Sequence, residues 1–310
     1  MLTRNEFIYE RQSEKKQKEF KNKLMSVLSI KIPLWNPDKI LDTLAPALKG
    51  IVSYKGLALW LIVILSGIKA AIENSQLIYD NTQGMLAPSR LAYLYVALAL
   101  LKLLHEAGHA IMTKRFGGAV HTVGIMFLVF TPLPYMDATS SWFFQSRWQR
   151  MLVGSAGMLV DFFCAALAAV IWAQSGDGLL HTLAFNVMVV ASVSSFVFNA
   201  NPLIRFDAYY ILSDFLEIPN LAQRSRQQWL YWIEKYLFAV ENPVSPSLSR
   251  TEAFWLALYA VSSLCYRSFI AVVIILFIAD KFFGVGQGFL IGTSDWHSSQ
   301  MYLSSIFLMP

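Results

Sequence analysis

Long apolar segments alternate with short polar ones through most of the chain, and this pattern predicts membrane-spanning helices. An apolar run of roughly 20 residues can cross the hydrocarbon core of a bilayer as a helix. Polar and charged residues bound each run, where they can reach the lipid headgroups. The spans predicted in this way are residues 56–72, 91–113, 151–173, 182–204 and 253–278.

The two ends of the chain follow different patterns. Residues 1–55 hold eleven Lys or Arg and six Asp or Glu, and their scattered apolar positions are typical of a weakly amphipathic segment on a membrane surface. We interpret them as a basic, amphipathic cytoplasmic arm that stays in the mature protein, since it lacks the apolar core of a signal peptide. The last span contains Arg267 and is either one long helix or two pieces. The placement of the tail, residues 284–310, is left open.

Residues 121–135 favour β-structure and are too short to cross the membrane, and Pro132 and Pro134 are expected to end them. Bare strand edges are not tolerated against lipid, so this insertion should be buried in protein or line a wet cavity beside the second span. It is either a structural hairpin or a strand whose edge pairs with an extended peptide. The predicted fold is an all-α polytopic membrane protein with about five to six transmembrane helices and a short, buried, β-hairpin-like insertion.

Composition and charge agree with a membrane protein and argue against a nucleic-acid-binding one. The chain is 56% hydrophobic and 15% charged, which leaves too little polar surface to cover a soluble globule. Its basic residues lie between the apolar runs and form no basic face. Residues 114–150 hold four and 205–250 hold five, whereas 73–90 hold one and 174–181 hold none. This one-sided bias predicts a cytoplasmic N-terminus.

The second span carries His105, Glu106 and His109 near its end. Residues four apart project from one face of a helix, so the two imidazoles can bind one metal ion, for which we predict zinc. Glu106 lies where a carboxylate can take a proton from metal-activated water and pass it to a leaving amine. Ionisable groups at membrane depth are costly and usually mark function. Lys102 is expected to be a snorkelling or ion-paired helix residue. The alternative is that it lines a polar entry or pairs with Asp161 or Asp137.

A catalytic zinc usually has three protein ligands and one open position, so a third ligand is needed. Asp207 is the strongest candidate, because it follows the inward end of the fourth span on the same side of the membrane as His109. Pro202 breaks the helix before it. The alternative is a structural role in which Asp207 pairs with Arg205 or caps the next helix, and His121 is a fallback ligand.

Three motifs resemble those of the site-2 protease family of intramembrane zinc metalloproteases. They are His105-Glu106-Ala107-Gly108-His109, Gly154-Ser155-Ala156-Gly157, and Asn201-Pro202 followed by Asp207. Residues 134–140, 198–203, 206–207 and 219–221 are similar to a narrower branch, the bacterial peptide zinc metalloproteases. The resemblance covers roughly residues 90–285.

The resemblance implies that His105, His109 and Asp207 bind zinc, that Glu106 is the general base and that Asn201 holds the substrate or the oxyanion. One departure is Ala208, where the family usually has a glycine that permits positive φ or close backbone approach. Members of this branch often accompany membrane-fusion adaptors of peptide export systems. A peptide exporter or such an adaptor is therefore an expected partner, besides the lipid bilayer and the substrate.

These features predict an intramembrane zinc endopeptidase that cleaves a membrane-embedded or hydrophobic peptide with zinc-activated water. Its core would comprise residues 56–283, in the inner (cytoplasmic) membrane of a bacterium. The alternative is a non-proteolytic or maturation subunit of a peptide export complex that binds peptide and zinc. A zinc transporter is a poorer fit, because it needs ligands along a path through several spans.

Overall fold

The computed structural model describes residues 29–82, 91–128, 131–137, 139–240 and 243–306, and most of them are helical. The helices are α1 (Asp38–Ile51), α2 (Tyr54–Glu73), α3 (Ser75–Thr82), α4 (Leu91–Arg115), α5 (Arg147–Gln174), α6 (Leu179–Val193), α7 (Asp207–Leu216), α8 (Leu221–Tyr236) and α9 (Arg250–Ile306). The strands are β1 (Ser29–Trp35), β2 (Val123–Leu128) and β3 (Thr131–Met136).

Within the part of the chain that the structure describes, five helical segments are long and apolar enough to cross a membrane, which confirms the predicted fold class. They are Tyr54–Glu73, Leu91–Arg115, Arg147–Gln174, Leu179–Asn199 and Arg250–Leu276. The fourth was predicted to reach residue 204, but α6 ends at Val193 and a π-helical turn, Ser194–Asn199, follows it. The chain leaves the helix there because a residue before proline avoids the α conformation, and Pro202 lies shortly beyond.

The last predicted span belongs to one continuous helix. Arg267 lies within α9 and does not divide it, because its guanidinium donates to the Ser263 carbonyl oxygen at 3.1 Å and to the Ser263 hydroxyl at 2.6 Å. The backbone of residues 284–306 is helical as well, as the continuation of α9.

The chain divides into two compact units, Met1–Pro219 and Asn220–Pro310. In the first unit α4, α5 and α6 pack against one another, and α2 packs on α5. Small buried residues of α5, among them Ala165, Ala168 and Ala169, line these contacts together with Leu101 of α4 and Ala191 of α6. Small side chains let membrane helices approach closely, which is how such helices gain packing energy in lipid. In the second unit α8 packs on α9, and Arg224 pairs with Glu252 at 2.6 Å.

The strands form one antiparallel sheet in the order β1-β2-β3. Its β2-β3 hairpin confirms the β-structure predicted for residues 121–135, but the prolines do not end it. They lie inside β3, where Pro132 pairs with Phe127 and Pro134 with Ile125. The Asp137 amide donates to the Thr122 carbonyl oxygen at 2.8 Å. Backbone groups alternate in direction along an antiparallel strand, so the backbone nitrogens and carbonyls of residues 136, 134 and 132 point away from β2. Proline is tolerated at such outward positions of an edge strand, since no ladder bond is lost.

Strand β1 and helix α1 occupy part of the predicted N-terminal arm and were not anticipated; residues 1–28 of that arm lie outside the described residues. Helix α1 packs on α4. Lys114, at the end of α4, lies 2.7 Å from Asp38 and 2.8 Å from Asp42. The Val120 amide also donates to Asp38, at 2.8 Å. The hydrogen bond from Lys114 holds the pKa of Asp38 below its usual range. These contacts fix the end of the helix that carries the two histidines.

Candidate metal centre

Helix α4 presents His105 and His109 on one face, as their spacing of four predicts. His105 is buried and His109 is half-buried, with their Nε2 atoms 3.1 Å apart. His105 lies nine residues before Lys114, or about 13 Å along the helix. Half of a bilayer core is about 15 Å thick. If α4 crosses a bilayer with Lys114 at the headgroups, the pair would lie within the hydrocarbon core, close to the basic end of the helix.

Helix α5 approaches the histidine pair closely at Gly157. A Cβ atom built on Gly157 would lie 2.5 Å from Nε2 of both His105 and His109. No side chain can occupy that position, so glycine at 157 keeps open the space in front of the two nitrogens. This is where an ion between them would lie.

Asp207, the predicted third ligand, reaches the same point from the start of α7. Its Oδ2 atom lies 3.0 Å from His105 Nε2 and 3.5 Å from His109 Nε2. Ala208 is the second residue of α7 and has no positive φ, so the glycine usual in the family is not needed for this backbone. The structure brings Asp207 to the histidines instead of pairing it with Arg205.

The hydrogen bonds at the far side of each imidazole favour a cation between the three donor atoms. His105 Nδ1 lies 2.9 Å from Asp161 Oδ2, and His109 Nδ1 lies 2.7 Å from the Val153 carbonyl oxygen. Both oxygens can only accept, so each Nδ1 carries the proton and each neutral imidazole directs the Nε2 lone pair inward. Asp207 Oδ2 is buried and receives no hydrogen bond. Three electron-pair donors therefore face one another.

His105, His109 and Asp207 could hold a metal ion. Their donor atoms are separated by 3.1, 3.0 and 3.5 Å. Two imidazole nitrogens and one carboxylate oxygen on a tetrahedral zinc, with bonds of roughly 2.0–2.1 Å, would be separated by about 3.3–3.4 Å.

A buried carboxylate behind the site, Asp161, completes the support of His105. Besides His105 Nδ1, its Oδ2 atom accepts from the Ser195 hydroxyl at 2.6 Å and from the Asn199 amide at 3.2 Å. The π-helical turn after α6 carries both of these donors. Three donors compensate the cost of a carboxylate at this depth. A carboxylate of this kind fixes the tautomer of a ligand histidine and raises its basicity.

From the sequence, Asp161 is only a candidate partner of Lys102 and is not placed in the site; nor are Ser195 and Asn199. An ionisable residue at membrane depth was the available signal for Asp161. Serine and asparagine are common helix-packing residues in membranes, so their residue types gave no such signal for Ser195 and Asn199.

We expect Asp161→Asn to weaken zinc binding about 10- to 100-fold, the usual effect of losing a carboxylate behind a ligand histidine. An amide lacks the negative charge that raises the basicity of His105. Competition between the protein and a chelating dye measures the affinity. Asp177→Asn, the same change in the exposed loop after α5, is the control and should bind zinc as the wild type does. Equal affinities of both variants would contradict the role of Asp161.

Glu106 lies beside the three donors and outside their cluster. Its Oε1 atom is 3.0 Å from Lys102 Nζ, and its Oε2 atom accepts from the Met136 amide of β3 at 3.4 Å. Lys102 forms an ion pair, as one of the expectations had it, but its partner is Glu106 and not Asp161 or Asp137. Glu106 lies one turn from Lys102 on the same helix, where the two side chains can meet. Asp161 instead accepts from His105. Asp137 accepts from Thr139, whose hydroxyl and amide hold the pKa of Asp137 below its usual range.

Asn201 directly follows the π-helical turn and its cap. Its Oδ1 atom accepts from the Leu203 amide at 2.8 Å, which shapes the loop that leads to Asp207. Its role toward a substrate stays a prediction. His121, the fallback ligand, is exposed and does not belong to the His105, His109 and Asp207 group found among the described residues.

Comparisons with protein-family models, with curated proteins and with solved structures found no match to this chain.

Proposed function

We propose that the protein is an intramembrane zinc endopeptidase of the site-2 protease type. The observation that carries the proposal is the convergence of His105 Nε2, His109 Nε2 and Asp207 Oδ2 within 3.5 Å of one another, with a glutamate next to the first histidine. Two imidazoles and one carboxylate form a donor set typical of catalytic zinc in hydrolases, and they leave one position for water or substrate. Zinc is therefore the metal proposed.

Zinc in this site would polarise the scissile carbonyl and acidify the attacking water. Glu106 is the proposed general base: its carboxylate would accept a proton from the attacking water and return it to the leaving amine. Lys102 and the Met136 amide hold its carboxylate beside the site. Because Glu106 needs no metal bond for this role, its position outside the donor cluster supports the proposal.

The β2-β3 hairpin is better suited to a structural role than to pairing with a substrate along the edge of β3. The outward edge of β3 offers no amide at Pro132 or Pro134, and the Met136 amide donates to Glu106. Tyr95 donates to the Pro132 carbonyl oxygen at 2.7 Å. Few backbone groups remain there for an added strand. We infer that β3 fastens the sheet along α4 and holds the glutamate in place.

The proposed location is the inner membrane of a bacterium, with the site toward the cytoplasm. Basic residues gather at the end of the first unit where α4 ends and α5 begins, namely Lys114, Arg115, Arg147 and Arg150. Loops rich in lysine and arginine stay on the cytoplasmic side. The preferred substrate is an apolar segment that reaches the site from the membrane, since the donors lie at membrane depth.

The proposal is tested by cleavage of fluorescent single-span peptides by the purified protein in lipid nanodiscs. We expect cleavage that stops when a chelator removes the metal and that returns on addition of zinc, with products identified by mass spectrometry. Magnesium is the control and should not restore cleavage, since it prefers oxygen ligands in octahedral geometry. Peptide that binds but is never cut, with zinc present, would contradict the protease and identify the alternative, a peptide-binding subunit of an export complex.

A further inference from the structure

Helices α5 and α7 are joined by contacts that continue from the metal centre to the end of α5. On α7, Ile211 and Asp214 lie four and seven residues after Asp207, so the three residues share one face of the helix. On α5, Gly154 and Arg150 lie three and seven residues before Gly157, so these three positions also share one face. Gly157 lies against the histidines that face Asp207. The two faces run antiparallel, and each extends about 10 Å over seven residues.

Two contacts connect these faces beyond the metal centre. A Cβ atom built on Gly154 would lie 3.1 Å from Ile211 Cγ1, so α7 rests almost on the backbone of α5 there. One turn farther, Arg150 Nε donates to Asp214 Oδ1 at 2.7 Å. The same guanidinium donates from Nη1 to the Phe144 carbonyl oxygen at 2.7 Å. Arg150 is thus anchored by the carbonyl oxygen of Phe144 and in turn binds Asp214 of α7.

We propose that the Arg150–Asp214 pair is a positioning device for the metal centre: it fixes the rotation of α7 on α5 and thereby aims Asp207 at His105 and His109. Neither residue contacts the three donor atoms. Asp207 is the first residue of α7, and the short loop before it contains Pro202 and the Asn201 turn. A helix whose first residue is a ligand needs a second fixed point, or else rotation about its axis moves that ligand. Asp214 supplies this point two turns away, on the same face.

The pair is suited to this task by its partial burial and its geometry. The side chains of Arg150 and Asp214 are 25% and 26% exposed, whereas those of the neighbouring pair, Arg147 and Glu217, are 42% and 65% exposed. An ion pair that is largely exposed gains little from its Coulomb attraction. Arg147 and Glu217 also lie one turn farther from Asp207. They therefore offer a matched control, with Arg147 at the start of α5 and Glu217 at the cap that follows α7.

The inference rests on the metal site of the proposed function, and cobalt tests the two separately. Cobalt(II) replaces zinc in such sites, and its visible absorption reports coordination geometry. Purified protein stripped of metal is titrated with cobalt in detergent. We expect the wild type to bind one ion per chain with the strong absorption of a four-coordinate site. Arg150→Met and Asp214→Asn should each weaken binding about tenfold, as the loss of an outer support of a ligand does, and should alter the absorption.

The controls decide between positioning and general stability. Arg147→Met should bind cobalt within about twofold of the wild type, as a largely exposed pair contributes little. The double variant Arg150→Asp with Asp214→Arg restores an ion pair of reversed direction, so it should recover most of the affinity and the wild-type absorption. This double variant also decides the matter if a single variant does not fold.

The possible results are distinguishable. Wild-type affinity and absorption in Arg150→Met or Asp214→Asn would overturn the positioning role and leave the metal site standing. A folded double variant that does not recover cobalt binding would overturn it as well. Wild-type protein that binds neither cobalt nor zinc would instead refute the metal site on which the inference rests.

Discussion

Replacing Glu106 with glutamine should abolish peptide cleavage while the protein keeps its metal. Glutamine has the shape of glutamate but cannot accept a proton from water at neutral pH, and general-base catalysis contributes typically 10²- to 10⁴-fold to a rate. Glu106 lies outside the group of His105, His109 and Asp207, so its loss should leave zinc content unchanged. The measurement is the initial rate of cleavage of a single-span peptide, with zinc determined on the same preparation.

A matched control is Glu73→Gln on helix α2. Glu73 pairs with Lys69 four residues earlier at 3.8 Å, as Glu106 pairs with Lys102, but Glu73 is largely exposed. Its replacement removes the same charge from the same kind of pair and should not change the rate. Cleavage by Glu106→Gln at more than a tenth of the wild-type rate, with full zinc content, would exclude Glu106 as the general base.

Replacing Asp207 with alanine should reduce the affinity for zinc by more than about 100-fold. Loss of a residue that only supports a ligand costs up to about 100-fold, and Asp207 is proposed to be a ligand itself. The two histidines would remain, and two neutral imidazoles hold a divalent cation much less tightly than two imidazoles with a carboxylate. The competition assay with a chelating dye measures the change. Asp177→Ala, in the exposed loop between α5 and α6, is the control.

The fold of Asp207→Ala should remain intact. Asp207 begins α7, and loss of a carboxylate from the first turn of a helix costs only about 0.3–1 kcal/mol. Thermal unfolding of the metal-free proteins should therefore nearly coincide. Full zinc occupancy in folded Asp207→Ala would refute the third ligand and direct attention to His121 or Asp137.

The local part of the site could be predicted from sequence, because helical periodicity alone places His105 and His109 on one face. Asp207 could be predicted from topology: counting spans put it on the same side of the membrane as His109. Asp161 could not be placed in this way. It is 56 residues from His105, and the rotation of α5 about its own axis, which directs this carboxylate at the imidazole, depends on packing against several helices at once.

The errors in predicting strands β1 and β3 have similar causes. Pro132 and Pro134 were expected to end a strand, but whether proline disrupts a strand depends on which edge its nitrogen faces. That edge is known only once the register with β2 is known. Strand β1 was missed because its partner, β2, lies about ninety residues later in the chain. Local patterns do not report pairing over such distances.

X-ray absorption at the zinc edge, on purified wild-type protein of known zinc content, tests the central claim most directly. The account predicts one zinc per chain, bound by nitrogen and oxygen at roughly 2.0–2.1 Å with the scattering pattern of two imidazoles. Protein that carries no zinc, or zinc with a sulfur ligand at about 2.3 Å, would contradict a centre built from His105, His109 and Asp207.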